Sequence, residues 1–477
     1  PGGDRYADGR LTQDRAWYVC VRERHSEEIC EPVNEVVAVA LDGSEQIKTL
    51  VSGPDFVAAP RPSPDGSQLA WIQWNHPEMP WDNTELWVAD FDGEKLSSAR
   101  CIGAEGESFF QPEWRSDGIL HVVTDRDGWW HLYRFDGNRL ISLTSGDFEI
   151  GVPQWVFGQS RYSFVGDGIW FARRQNGVDR LAVLNSSGTV EEIDIEASEI
   201  ESVSSLGDGV VAVVSSWVTE PAVVAVTRRN LKILNEYRDL KLDSKWLPIP
   251  ESVTYPTSDG EQAHAVIYPP TNPNYKMPKE ELPPLLVLVH GGPTSAARRQ
   301  LQLSVAYWTS RGFMVADVDY RGSTGYGRFY RDRLQSEWGV LDVDDCESVA
   351  NHLVNIGRVD SNRLAIKGGS AGGFTVLAAL TFGKTFTVGV SRYGIADLAV
   401  LASDTHKFES RYLDRLVGQW PRDEIIYQQR SPIYHTSKLS TPMLILQGSE
   451  DVIVPPNQAH MMADALLAAG IPHAVVE

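Results

Sequence analysis

Cysteine is scarce in this chain. Its 477 residues include four, Cys20, Cys30, Cys101 and Cys346. None forms a C-x-x-C pair and no histidine cluster completes a zinc pattern, so the sequence offers no metal site and no cofactor. So few thiols fit a reducing compartment, and a cytoplasmic location is the expectation. A run of eighteen apolar residues is also missing, so no transmembrane helix is expected. Basic residues are in deficit: 43 Lys and Arg stand against 64 Asp and Glu, a net charge of −21. That balance argues against nucleic acid and against an anionic membrane as partners. The chain starts at Pro1 with neither a methionine nor a signal-like segment. The expectation is that a preceding stretch is missing, which leaves targeting unreadable.

What is present divides into two halves with different periodicity. In the first, a turn precedes a strand four times: Ser63-Pro64-Asp65-Gly66 before Leu69–Ile72, Ser116-Asp117-Gly118 before Ile119–Val123, Gly166-Asp167-Gly168 before Ile169–Ala172, and Gly207-Asp208-Gly209 before Val210–Val214. The Asp residues of these turns are 52, 50 and 41 positions apart. A second series interleaves with it, in which strands run into Asp42-Gly43, Asp92-Gly93, Asp136-Gly137 and Ser187-Gly188. Asp-Gly between apolar strands is a hairpin signal, because glycine takes a positive φ cheaply. Several strands per 40–50 residues indicate a β-propeller, with a β-sandwich of chance spacing as the alternative. Eleven of the fifteen Trp lie before residue 245, as the interfaces between blades require. At about 45 residues per blade, residues 1–247 hold about five blades, an incomplete propeller.

From about Val253 the pattern changes. Apolar strands at Ala265–Tyr268, Leu285–Val289, Met314–Val318, Leu364–Ile366, Val388–Val390, Met443–Leu446 and Ala474–Val476 alternate with helical stretches at Asp342–Ile356, Phe374–Phe382 and Asn457–Ala469. This is the grammar of a parallel α/β sheet. The Pro-rich stretch Pro248–Pro256 reads as the linker, which makes 248–477 the second domain.

Gly368-Gly369-Ser370-Ala371-Gly372-Gly373 lies between one of these strands and a helix. In that setting G-x-S-x-G is a nucleophile elbow, a turn so sharp that only small residues fit at Gly368 and Gly372. Ser370 is then the nucleophile. An α/β hydrolase also needs an oxyanion hole, an acid and a histidine, with the triad in the order Ser, Asp/Glu, His. The N–H after the nucleophile belongs to Ala371. The second donor should follow an earlier strand, and His290-Gly291-Gly292-Pro293 does so; Gly292 is the first choice and Gly291 the second. The acid should follow a later strand, and Asp451 is preferred to Glu450 in Gly448–Pro455. The histidine must follow the acid, and only His460 and His473 do. His460 falls within a helix and His473 starts the last strand, on its wrong side, so the base is expected beyond Glu477. Arg321–Gly327 looks phosphate-friendly but fits neither G-x-G-x-x-G nor a P-loop, and reads better as a loop facing the active site. Asp404–Leu413 and Gln419–Tyr434 read either as pocket-lining insertions or as surface excursions.

Val289–Pro293, Asp319–Gly327, Gly368–Gly373 and Gly448–Pro455 together resemble the prolyl oligopeptidase family of serine peptidases, in particular its acylaminoacyl-peptidase and dipeptidyl-peptidase-like branch. Asn75-His76-Pro77, Trp81-Asp82 and Glu85-Leu86-Trp87 extend the resemblance into the first half. It implies an N-terminal β-propeller plus a C-terminal α/β hydrolase domain, here truncated at both ends. It also implies Ser370 as nucleophile, Asp451 as acid, and Gly292 and Ala371 as oxyanion donors. The family's histidine sits about thirty residues after the acid, on the loop beyond the last strand. The implied activity is hydrolysis of short peptides through an acyl-enzyme, the propeller limiting substrate size. A carboxylesterase acting on small acyl esters, or a non-catalytic propeller binding protein, is the alternative. Assembly into a homo-oligomer stays open.

Overall fold

The computed structural model describes residues 3–26, 31–235, 238 and 240–477. Cys30 lies outside the described residues. Cys20 and Cys346 are buried and Cys101 is exposed, all three as free thiols. Among the described residues no helix is long and apolar enough to cross a membrane.

Two compact units emerge. One takes in the described residues up to Val214, residues 222–235 and Gly325–Arg328; the other takes in Ser215–Pro221 and the described residues from 238 onward except Gly325–Arg328. The first unit is a β-propeller of five four-stranded antiparallel sheets, each made of strands consecutive in the chain. The two interleaved turn series are hairpins within the blades. Both are present in the three middle blades, the first series being missing from the first blade and the second from the fifth. Asp65-Gly66, Asp117-Gly118, Gly166-Asp167 and Gly207-Asp208 join first strands to second, and Asp42-Gly43, Asp92-Gly93, Asp136-Gly137 and Ser187-Gly188 join third to fourth. Gly43 has φ +84 and open space around it, so backbone conformation alone selects glycine there. Neighbouring blades share an apolar interior, in which Val19, Val36 and Ala38 of one sheet meet Val57, Leu69 and Trp71 of the next. Trp71 belongs to this shared interior and stacks at 6.0 Å on Trp87, its cross-strand partner in the same blade, and Trp81, Trp130 and Trp170 are buried.

The second unit is an α/β hydrolase fold. Its eight strands lie in the order Glu251–Pro256, Gln262–Tyr268, Met314–Asp319, Leu285–Val289, Leu364–Gly369, Val388–Arg392, Met443–Leu446 and His473–Val476. The first two pairings are antiparallel and the rest parallel. The central strands are buried almost along their length, as a sheet covered on both faces requires: Leu285–Val289 is wholly apolar, while Met314–Asp319 carries two buried aspartates, Asp317 and Asp319. One expectation is corrected. Most of the stretch read as a linker is structured: Glu251–Pro256 is the edge strand of this sheet, paired with Gln262–Tyr268. Its prolines mislead because an edge strand tolerates a missing N–H that a central strand does not.

Candidate active site

The site is assembled by strand pairing. Leu285–Val289 and Leu364–Gly369 run parallel with Val289 opposite Gly368, so the segments leaving their C-terminal ends emerge side by side. One of them is His290-Gly291-Gly292-Pro293 and the other turns at Ser370.

Ser370 has φ 56 and ψ −125, a sparsely populated conformation for a residue with a side chain. Its N–H donates to the Arg392 carbonyl at 3.1 Å, and its carbonyl accepts from Phe374 N at 3.0 Å at the start of the helix Ala371–Phe382. Both flanking glycines are obligatory on steric grounds. A Cβ on Gly368 would overlap the Gly372 carbonyl, and one on Gly372 would overlap the Val289 carbonyl. At Gly291 a Cβ would lie 3.1 Å from the Gly369 carbonyl oxygen and 3.4 Å from Ser370 Cβ, so the segment His290–Pro293 lies close against the turn at Ser370.

Gly292, Ser370 and Ala371 line one small cavity of about 40 Å³. Trp338, Ile395, Leu401 and Leu413 supply apolar wall, and Thr405, Glu409 and Tyr412 come from the insertion between the nucleophile and acid strands. Asp404–Leu413 therefore reaches the cavity. Ile453 and Val454 line it too, directly after Asp451. Asp451 is half-buried, and its Oδ1 accepts the N–H groups of Ile453 at 2.9 Å and Val454 at 3.0 Å. Glu450 is exposed. Of the two acids, Asp451 is the one whose carboxylate organises the loop bordering the cavity.

The two downstream histidines are engaged elsewhere. His460 Nε2 lies 3.1 Å from Glu477 Oε2, and His473 Nδ1 lies 2.8 Å from the Ile471 carbonyl oxygen.

The loop His290–Thr294 is held by the side chains of Tyr320 and Tyr412, which the sequence alone did not single out as its partners. The Tyr320 hydroxyl lies 3.3 Å from the His290 carbonyl and 3.2 Å from that of Pro293, while the Tyr412 hydroxyl accepts from Thr294 N at 3.1 Å. His290 stacks on Tyr320 at 4.3 Å. Arg321 and Ser323 lie in the stretch noted for its phosphate-like look, and Tyr320 directly precedes it. Arg321, however, is spent on carboxylates: it pairs with Asp345 at 2.8 Å, Asp259 at 2.7 Å and Asp344 at 3.0 Å. A guanidinium so enclosed has no capacity left for a phosphate.

Comparison with known proteins follows the same lines. The model for the prolyl oligopeptidase family matches residues 299–476. A puromycin-hydrolyzing peptidase of Mycobacterium tuberculosis is 38% identical over 99% of this chain and 75% of its own, with a TM-score of 0.95. The chain belongs to the prolyl oligopeptidase family. Among curated members of the family, the acylamino-acid-releasing enzyme of Arabidopsis thaliana is 32% identical over 39% of this chain and 26% of that enzyme. Dipeptidyl aminopeptidase BIII of Pseudoxanthomonas mexicana is 30% identical over 40% of this chain and 28% of its own. The matched region thus spans about a quarter of each of these prolyl oligopeptidase relatives.

Proposed function

We propose that the protein is a serine peptidase that hydrolyses short peptides through an acyl-enzyme at Ser370, in the manner of acylaminoacyl- or dipeptidyl-peptidases. The observation that carries this reading is the strained Ser370 at the end of its strand, facing a cavity it shares with Gly292 and Ala371. In this reading Ser370 Oγ attacks the scissile carbonyl and the N–H groups of Gly292 and Ala371 stabilise the oxyanion. A histidine takes the Ser370 proton and returns it to the leaving amine. The triad order puts that histidine after Asp451 in the chain, with the Asp451 carboxylate fixing its tautomer. Water then releases the acyl group.

The substrates in this reading are short peptides and aminoacyl amides; the likeness to a puromycin-hydrolyzing peptidase supports the latter. No cofactor or metal takes part, and neither nucleic acid nor membrane is a partner. The location is the cytoplasm, and a homo-oligomer is compatible with the reading.

Fluorophosphonate labelling of the full-length protein, with hydrolysis of aminoacyl-p-nitroanilides, puromycin and p-nitrophenyl butyrate measured in parallel, tests it. Labelling at Ser370 with turnover of the anilides is expected. Turnover of the ester alone would make the protein a carboxylesterase. A protein that never labels would be a propeller binding protein.

A further inference from the structure

The His290 imidazole is tied at both ring nitrogens. Nδ1 lies 2.8 Å from the carbonyl oxygen of Gly291 and, more distantly, 3.3 Å from the Tyr320 hydroxyl, and Nε2 lies 2.8 Å from Ser323 Oγ, which is fully buried. A carbonyl oxygen only accepts, so the proton is on Nδ1. Nε2 of the neutral ring then accepts from the Ser323 hydroxyl. Removal from water pushes this imidazole below the ordinary histidine range, which favours the neutral ring.

The bonded carbonyl belongs to the peptide unit whose other edge is the Gly292 N–H. That unit is planar and trans, so its C=O and N–H point in opposite directions. Turning the Gly291 oxygen toward the imidazole therefore turns the Gly292 N–H away from it. Glycine at both positions leaves this unit easy to rotate: Gly292 sits at φ +122, a conformation that side chains rarely adopt. A donor on so soft a hinge needs an external hold.

We propose that His290, locked by Ser323, is the positioning residue that aims the Gly292 N–H at the oxyanion. The inference rests on the serine hydrolase reading above. His290 touches no reacting atom; it acts on the substrate through one peptide plane. Tyr320 and Tyr412 fix the ends of the same loop, at the carbonyls of His290 and Pro293 and at Thr294 N, whereas His290 alone among these holds the Gly291 carbonyl.

Two substitutions in the full-length protein separate positioning from packing. His290→Phe keeps a ring to stack on Tyr320 but carries no donor. His290→Asn loses the ring and keeps an N–H at about the place of Nδ1. Losing an oxyanion donor costs about 10²–10³ in turnover, so His290→Phe should lower kcat about a hundredfold with KM within about threefold. His290→Asn should recover most of that loss. Ser323→Ala, a smaller change, should lower kcat about tenfold by freeing the ring. Near-parental kcat in both His290→Phe and Ser323→Ala would overturn the proposal, as would rescue by Phe and not by Asn. Absence of fluorophosphonate labelling in the parent protein would instead sink the hydrolase reading, so the two failures are distinguishable.

Discussion

At the scale of single residues, Ser370 carries two separable costs. In the proposed mechanism its hydroxyl is the nucleophile, while its Cβ makes costly the φ 56 and ψ −125 that the turn imposes. Ser370→Ala should remove activity and leave stability close to the parent, because the strain is retained. Ser370→Gly should remove activity and raise stability by about 1 kcal/mol, because glycine accepts that conformation. Urea denaturation of the two variants reads the difference, and equal midpoints would mean that the turn is unstrained. Asp451 allows a similarly clean test. Its Oδ1 holds the N–H groups of Ile453 and Val454, and asparagine presents the same acceptor. Asp451→Asn should therefore keep the loop and lose only the charge. A fall in kcat of about 10⁴ with an unchanged thermal midpoint is expected if Asp451 sets the tautomer of the base. A fall of less than tenfold would move the acid elsewhere.

At the scale of elements, glycines are selected for two reasons, and mutation can tell them apart. Gly43 sits in an open hairpin turn at φ +84 and Gly372 is wedged against the Val289 carbonyl. Gly43→Ala should cost about 1 kcal/mol, the price of a positive φ. Gly372→Ala must push the elbow helix off its neighbouring strand and should cost about 3 kcal/mol. Similar losses in both variants, measured by chemical denaturation, would contradict the steric account. The same distinction explains what was legible in the sequence. The Asp-Gly turns and the elbow are local devices, so both hairpin series of the propeller and the strand–Ser370–helix junction could be read directly. The strand Glu251–Pro256 was not legible, because edge pairing is a tertiary matter and its prolines read as punctuation. Tyr320, Ser323 and Tyr412 escaped for a related reason: they meet the oxyanion loop from 27 to 118 positions away, and no spacing rule reports such contacts. The signals were the cluster of motif residues after the strand Met314–Asp319, read as a loop facing the site, and the insertion Asp404–Leu413, which carries Tyr412; neither reported which side chains would hold the neighbouring loop.

At the scale of the whole molecule, the acidic balance of −21 raises the question of where the carboxylates are. Most can be solvated, but Asp317 and Asp342 are buried in the hydrolase unit. Removal from water pushes Asp317 up to about 7, against the pull of Arg299, and pushes Asp342 up to about 6, against hydrogen bonds from Thr375 and Gly339 N. Each folded-state value lies above that of an unfolded aspartate, so the native state holds protons that the unfolded chain releases. Their destabilising effect is absent below about pH 4, grows as pH rises through the interval to about 7, and is constant beyond. Asp179 runs the other way. Arg161 and Arg174 hold it well below the usual carboxylate range, so its stabilising effect is present above about pH 4 and is lost in acid. Between pH 5 and 8 Asp317 and Asp342 therefore lower stability as pH rises, as does Asp345, raised to about 6 by burial. His121, His131, His264 and His290, held below the ordinary histidine range by burial, act in the opposite sense. The contrast between a variant and its parent isolates Asp317. Asp317→Asn keeps an acceptor for Gln302 and removes the ionisation, so its advantage over the parent should be larger at pH 8 than at pH 5. Net charge alone also disfavours the compact state as pH rises, and a control must subtract it. Asp167→Asn supplies that control: its side chain is 92% exposed, so with no burial it removes the unit of charge that Asp317→Asn removes at pH 8. Calorimetric midpoints at the two pH values decide the matter. A pH-dependent gain in Asp317→Asn that Asp167→Asn lacks locates the effect in burial; equal gains in both would assign it to the overall field of the protein.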